Sequence, residues 1–153
     1  MDQMKLIALD EEDLDVVSCH LQDAVVRVAD MAYVPSQKRF AAIVNRFDWE
    51  KAVKADGGQN YARRRSALRF DRVRGAQLKH LKPGTGSRVL SLLAVSFEPS
   101  ESPSGYVTLT FSGETSIRLE VECIEAELTD LGPAWQARSR PRHPGAEPGS
   151  AGS

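Results

Sequence analysis

Between Gly105 and Leu131 apolar and polar residues alternate so regularly that strand pairing can be read from the sequence itself. Val107, Leu109 and Phe111 fall on one face of a strand and Tyr106, Thr108 and Thr110 on the other. Ile117, Leu119 and Val121 then repeat the pattern against Arg118, Glu120 and Glu122. Directly opposed residues of an antiparallel pair share a face, so Phe111 must meet an odd-numbered partner. That requires an odd loop, of about three residues, within Ser112-Gly113-Glu114-Thr115. An even loop would turn one apolar set to solvent. The stretch predicts a hairpin of an antiparallel sheet, and the rest of the chain must supply strands to extend it and a layer to cover it.

Leu6-Ile7-Ala8-Leu9 suits a short edge strand. Asp10 can cap a helix whose first turn carries Glu11, Glu12 and Asp13, the sign favoured at a helix N-terminus, and Leu14, Val17, Ser18, Leu21, Ala24 and Val25 lie on one side at helical spacing. From Ala24 to Val34 and from Arg39 to Phe47 two β-rich segments flank Pro35-Ser36-Gln37-Lys38, which predicts a second hairpin. Lys51 to Tyr61, with Gly57-Gly58, reads as a loop. Ser66 to Leu81 reads as one β segment bulged at Arg72, where the alternation slips. Val89 to Phe97 is apolar at both odd and even positions, the pattern of a central strand covered on both faces. Residues 123–131 fit either a strand after a phase slip at Cys123 or a helix; the want of a capping residue favours a bulged strand. Beyond Trp135 the arginine, proline, glycine and serine content predicts a disordered tail over residues 136–153, leaving one domain over residues 4–135.

The length of 153 residues suits one domain, and the 41% apolar and 27% charged content is that of a soluble globular chain with no apolar run long enough to cross a membrane. Cys19 and Cys123 lack a CxxC context, and no basic region leads into an apolar segment at the N-terminus, so the expected setting is the cytoplasm with reduced thiols. The net charge of −1 conceals segregation. The middle of the chain, Tyr61 to Leu90, is basic, whereas Met1 to Asp30 and Glu98 to Asp130 are acidic.

No phosphate-cradling glycine loop, GxSxG elbow, HExxH or paired CxxC occurs, and His20, His80 and His143 are scattered. No metal site, cofactor or catalytic set is therefore implied. A small enzyme working through Arg46, Asp48 and Asp71 is the weakest of three functional readings, because those residues also suit loops and strand ends that balance arginines. The basic stretch carries the sharpest hypothesis. Tyr61, Arg63, Arg64, Arg65, Arg69, Arg72 and Arg74 could present guanidinium groups and a ring to RNA or another anionic ligand. The competing account pairs these arginines across strands with Glu120, Glu122, Glu125 and Glu127. The reading favoured overall is a binding or interaction module, with a protein partner or self-association through a sheet edge.

The phrases Asn45-Arg46-Phe47-Asp48-Trp49-Glu50, Leu92 to Pro99, Leu119-Glu120-Val121-Glu122-Cys123-Ile124-Glu125-Ala126 and Asp130-Leu131-Gly132 resemble a small uncharacterised family of alphaproteobacterial proteins, a domain of unknown function. The resemblance covers most of Met4 to His143 but not the loop Lys51 to Tyr61. It implies a bacterial, cytoplasmic, single-domain protein and brings no activity or site residues. The expected fold is α+β and mainly β: an N-terminal helix packed on a bent antiparallel sheet of about six strands, barrel-like or sandwich-like, since one helix covers one face only.

Overall fold

The computed structural model describes residues 3–47, 61–81, 86–132 and 135–137, the last segment and residues 61 and 62 by backbone alone. The elements run β1 (Lys5–Ala8), α1 (Glu11–Leu21), β2 (Ala24–Val34), β3 (Arg39–Phe47), β4 (Tyr61–Asp71), β5 (Val73–Lys79), β6 (Val89–Pro99), β7 (Gly105–Phe111), β8 (Thr115–Val121), β9 (Ala126–Asp130) and β10 (Trp135–Ala137). Nine strands form one antiparallel path in the order β1-β9-β4-β3-β2-β6-β7-β8-β5, and β10 pairs with the part of β4 that β9 leaves open. The fold is mainly β, with one short α-helix among the described residues.

The sheet has more strands than the expected six or so, and it is not closed into a barrel. Two phase slips that look like bulges in the sequence are corners. Arg72 adopts the left-handed conformation (φ 63°) and ends β4. The chain then enters β5, at the far end of the path, where it pairs with β8. Likewise residues 122–125 carry the chain out of β8 to β9, which pairs with β1 and β4. The two corners touch: the Asp71 amide donates to the Glu125 carbonyl (2.9 Å) and the Glu122 amide to the Arg72 carbonyl (2.9 Å). This contact explains the curvature. In a flat sheet β4 and β5 would stand six strand spacings, roughly 29 Å, apart. Asp71 and Val73 are two residues apart and can span at most about 7 Å, so the sheet must curl.

Curling wraps one face around the core. Phe40, Ala42 and Val44 of β3, Leu68 and Phe70 of β4, Val107, Leu109 and Phe111 of β7, and Ile117, Leu119 and Val121 of β8 are all buried on it. The β7–β8 register pairs Phe111 with Thr115, Leu109 with Ile117 and Val107 with Leu119. The loop is the odd one required, Ser112 to Glu114, with Gly113 at φ 76° supplying a backbone conformation that side chains disfavour. Helix α1 is capped by the Asp10 carboxylate, which accepts from the Asp13 amide at 2.8 Å, and buries Leu14, Val17 and Leu21. It packs against β6, where the Val95 amide donates to Ser18 Oγ at 2.9 Å.

That contact sits beside a register shift between Leu92 and Ala94, which corrects the expectation that β6 is covered on both faces. Leu90 and Leu92 point inward before the shift and Val95 after it, while Val89 and Leu93 are exposed. A mid-strand bulge makes a one-faced strand look apolar at both parities. Gln136 and Ala137, assigned from sequence to the tail, belong to β10 and pair with Ala62 and Tyr61. The expectations for a loop at 51–60 and a tail over 138–153 lie outside the described residues. No helix among the described residues is long and apolar enough to cross a membrane.

Candidate anion-binding site

The basic residues of β4, with those beside it on β3, at the Arg72 corner and on β5, fall into an inward and an outward population. Arg64 points inward, level with Arg46 directly opposite on β3. Both approach Asp130 of β9 with almost no solvent exposure: Arg46 donates from Nε to Oδ1 (3.1 Å) and from Nη2 to Oδ2 (3.0 Å), and Arg64 Nε lies 3.6 Å from Oδ2. Ser66 Oγ donates to Oδ1 (2.7 Å) and the Met4 amide to Oδ2 (2.8 Å). Burial by itself would raise the Asp130 pKa, but the hydrogen bonds from Arg46, the Met4 amide and Ser66, with the Arg46 charge, outweigh it and hold the carboxyl below its ordinary range. Arg46 and Arg64 are thereby committed to a buried ion cluster that joins β3, β4, β9 and the N-terminal segment.

The outward population divides again. Arg69 Nη2 meets Glu127 Oε1 (2.9 Å), and its Nε donates to Asp71 Oδ2 (3.0 Å), while Arg39 reaches Asp71 Oδ1 (2.8 Å). Arg72 pairs with Glu125 (3.2 Å) and Arg74 with Glu120 (3.3 Å). These are the cross-strand pairs of the competing account, and they neutralise that part of the basic stretch. Arg63 stacks over the Phe47 ring, 4.6 Å from its centroid, and donates to the Asn45 carbonyl (3.2 Å). Tyr61 opens β4, its backbone paired with Ala137. Asp48 lies outside the described residues, and Asp71, the other acid of the enzyme reading, is held by its two arginines.

Arg65 differs from all of these. It is exposed on the outer face, opposite Asn45, and no side-chain partner engages it among the described residues. The same holds for Arg27 on β2. The two line one cleft of about 270 Å³ together with Val25, Asp30, Ile43, Asn45 and Val89. The cleft exists because β2 leaves β3. Val26 pairs with Val44 and the next pair is Met31 with Ala42, so β2 uses five steps where β3 uses two. Meanwhile the departing segment follows the other neighbour: Arg27 pairs with Val89, and the Val28 and Ala29 amides donate to the Arg88 and Gly86 carbonyls. Such irregularities re-aim side chains and open a sheet locally.

A shallower depression of about 420 Å³ adjoins the cleft and shares Asp30 and Ile43 with it. Ala32, Ala41 and Ala67 contribute to its lining, and Arg39, Arg69, Glu127 and Thr129 complete its margin. Chemically, the pair of depressions offers two guanidinium groups and an amide at one end and small apolar side chains at the other. Among the described residues no three His, Cys, Asp or Glu side chains are grouped to hold a metal ion. His20 Nδ1 faces the Val16 carbonyl of its own helix (2.9 Å), and Cys19 is exposed.

The sequence profile of a protein family of unknown function, DUF2948, matches residues 4–143, a span that contains the ion cluster, the cleft and the whole sheet. The chain belongs to the DUF2948 family. No curated protein and no solved structure matches it. Within this DUF2948 chain the sequence pointed to Arg63, Arg64 and Arg65 as one patch, yet only Arg65 lines the cleft. Arg27, Asn45 and Asp30 carried no sequence signal of their own. Their convergence depends on the β2 departure, whose only trace in the sequence is that β2 is longer than its hairpin partner.

Proposed function

We propose that this DUF2948 protein is a binding module that takes a small anionic ligand in the cleft between β2 and β3, with Arg27 and Arg65 as its charged contacts and Asn45 as a neutral hydrogen-bonding group. The observation that carries the reading is the contrast along the outer face. Arg39, Arg69, Arg72 and Arg74 are each matched by a carboxylate, whereas Arg27 and Arg65 converge on a concave site with no ion pair of their own among the described residues. A guanidinium that no carboxylate engages at ion-pair distance, set in a concave site, is suited to binding a carboxylate or phosphate oxygen. A strand of nucleic acid would need a longer continuous basic track than this one cleft provides.

Isothermal titration with inorganic phosphate and with acetate tests the reading. Binding at low salt that is lost in Arg65→Ala and in Arg27→Ala, and kept in Arg69→Ala, is the expected result. Equal binding by all three variants would place the anion elsewhere. Retention of mixed RNA at low salt that survives both cleft variants would return the function to the rest of the arginine-rich stretch.

A second reading rests on the open end of the sheet. Leu78 of β5 shares the core face with its partner Ile117 yet is exposed, and beyond Val73 no strand pairs with the outer side of β5 among the described residues. A strand from a second copy or another protein could add there. Light scattering on a sizing column would show an assembly that Leu78→Lys dissolves; a monomer at all concentrations would count against self-association.

A further inference from the structure

We infer that the ligand is an amphipathic monocarboxylate, its head between Arg27 and Arg65 and its aliphatic chain lying over Ile43, Ala67, Ala41 and Ala32; the inference rests on the anion reading above. Three observations converge on it. Among the described residues the cleft is lined by two arginines and one acid, Asp30, a net single positive charge that suits a monoanion better than a dianion. The depression that continues from it is floored by short apolar side chains brought side by side by the register: Ala32 opposite Ala41, and Ile43 opposite Ala67. Ala32, Ala41 and Ala67 on adjacent strands leave a trough beside the longer side chains of Arg39, Arg69 and Glu127. Among the described residues neither depression is lined by an aromatic ring, and a ring is what a nucleobase would stack on.

The dimensions agree. From Asn45 in the cleft to Ala41 in the trough β3 runs four residues, about 14 Å. The two depressions together lie within the roughly 300–1,000 Å³ usual for small-molecule sites. At the far end of the trough the charges of Arg39 and Arg69 are already neutralised by Asp71 and Glu127. The head therefore has one attractive end to choose, and a chain lying in the trough meets methyl groups between polar margins.

Titration calorimetry with acetate, butyrate, octanoate and inorganic phosphate, on the full chain and below the micelle-forming range, decides the matter. The expected result is about tenfold or greater tightening from butyrate to octanoate, since each buried methylene adds to binding. Ala67→Gln, with its melting curve as a check on folding, should remove that gain, whereas Arg65→Ala should weaken butyrate and octanoate alike. If Ala67→Gln does not fold, Ala41→Gln serves in its place. Equal affinity for butyrate and octanoate, or phosphate binding more tightly than octanoate, overturns the inference and leaves the anion reading standing. A chain-length gain that survives the trough variant also overturns it. Failure of every anion to bind removes the anion reading itself.

Discussion

Asp130 and Asp71 each sit between two arginines, one from β3 and one from β4, yet the two arrangements have different consequences. Asp130 has a fully buried side chain, 0% exposed, and Arg46 and Arg64 are each 3% exposed. Asp71 is 16% exposed, with Arg39 and Arg69 at 42% and 39%. The chemistry is the same, and what differs is the strand face. Arg46 continues the inward parity of Phe40, Ala42 and Val44, whereas Arg39 and Arg69 have the outward parity. In the core, water cannot replace a missing partner, so removing one leaves a desolvated charge. On the outer face water and salt can, and a pair there contributes little. Two arginine–aspartate–arginine triads are thus structural or incidental according to the parity of one residue.

The largest effect should come from neutralising the buried member. Asp130→Asn removes the buried carboxylate that Arg46 and Arg64 share and is expected to lower stability by about 3–5 kcal/mol in urea unfolding. A loss below about 1 kcal/mol would make the two triads equivalent and break the contrast.

Acid should reveal the same difference. The Asp130 carboxyl titrates below its ordinary range in the folded chain, so the folded state binds fewer protons than the unfolded one at intermediate pH. Its contribution is fully present above the unfolded value of about 3.9 and is lost as pH falls through the lower folded value. Glu122 and Glu127 are held low as well, chiefly by hydrogen bonds from Lys38 and Thr129 respectively, but they lie near the surface where salt screens the charges around them. At high salt the urea midpoint of the wild type should therefore still fall in acid, while that of Asp130→Asn should fall less. Parallel acid limbs would show that Asp130 is not the group responsible.

Asp71→Asn gives the matched surface measurement. It removes the negative charge that Arg39 and Arg69 share, but both arginines stay solvated and Arg69 keeps Glu127. The expected loss is under about 1 kcal/mol and shrinks further in salt. A loss as large as that of Asp130→Asn would mean that exposure does not separate the triads.

Strand-face parity also decides how much of the fold is legible in the chain. The β7–β8 hairpin could be read to its loop length because both strands alternate without interruption and the partners are adjacent in sequence. Asp10 announced its helix in the same local way. Arg72 and the 122–125 corner could not be told from bulges, since a phase slip looks the same whether the chain continues in its strand or leaves for another. Only the long-range pairings of β4 with β9 and β5 with β8 distinguish them. For the candidate site, the sequence presented Arg63-Arg64-Arg65 as one patch, and only the pairing and burial of β4 show that Arg64 turns inward. The cleft itself needed the β2–β3 register, which no local pattern in β2 discloses.

Arg65→Ala should have the smallest effect on stability and the most informative one on function. Arg65 sits on the same strand as Arg64, one residue away, and on the same outer face as Arg69, so it shares composition with both triads and membership of neither. Truncating it breaks no ion pair among the described residues and exposes no buried group, and a change within about 0.5 kcal/mol is expected in urea unfolding. If the cleft binds an anion, the same variant should abolish the ligand-induced rise in melting temperature that the wild type shows, because that rise requires binding to the folded state. Together the three substitutions would then separate β3–β4 charge into a buried part that holds the fold, a paired surface part of little consequence, and an unpaired part kept for a ligand. A marked destabilisation by Arg65→Ala would instead make Arg65 one more structural arginine and remove the cleft's main claim to a function.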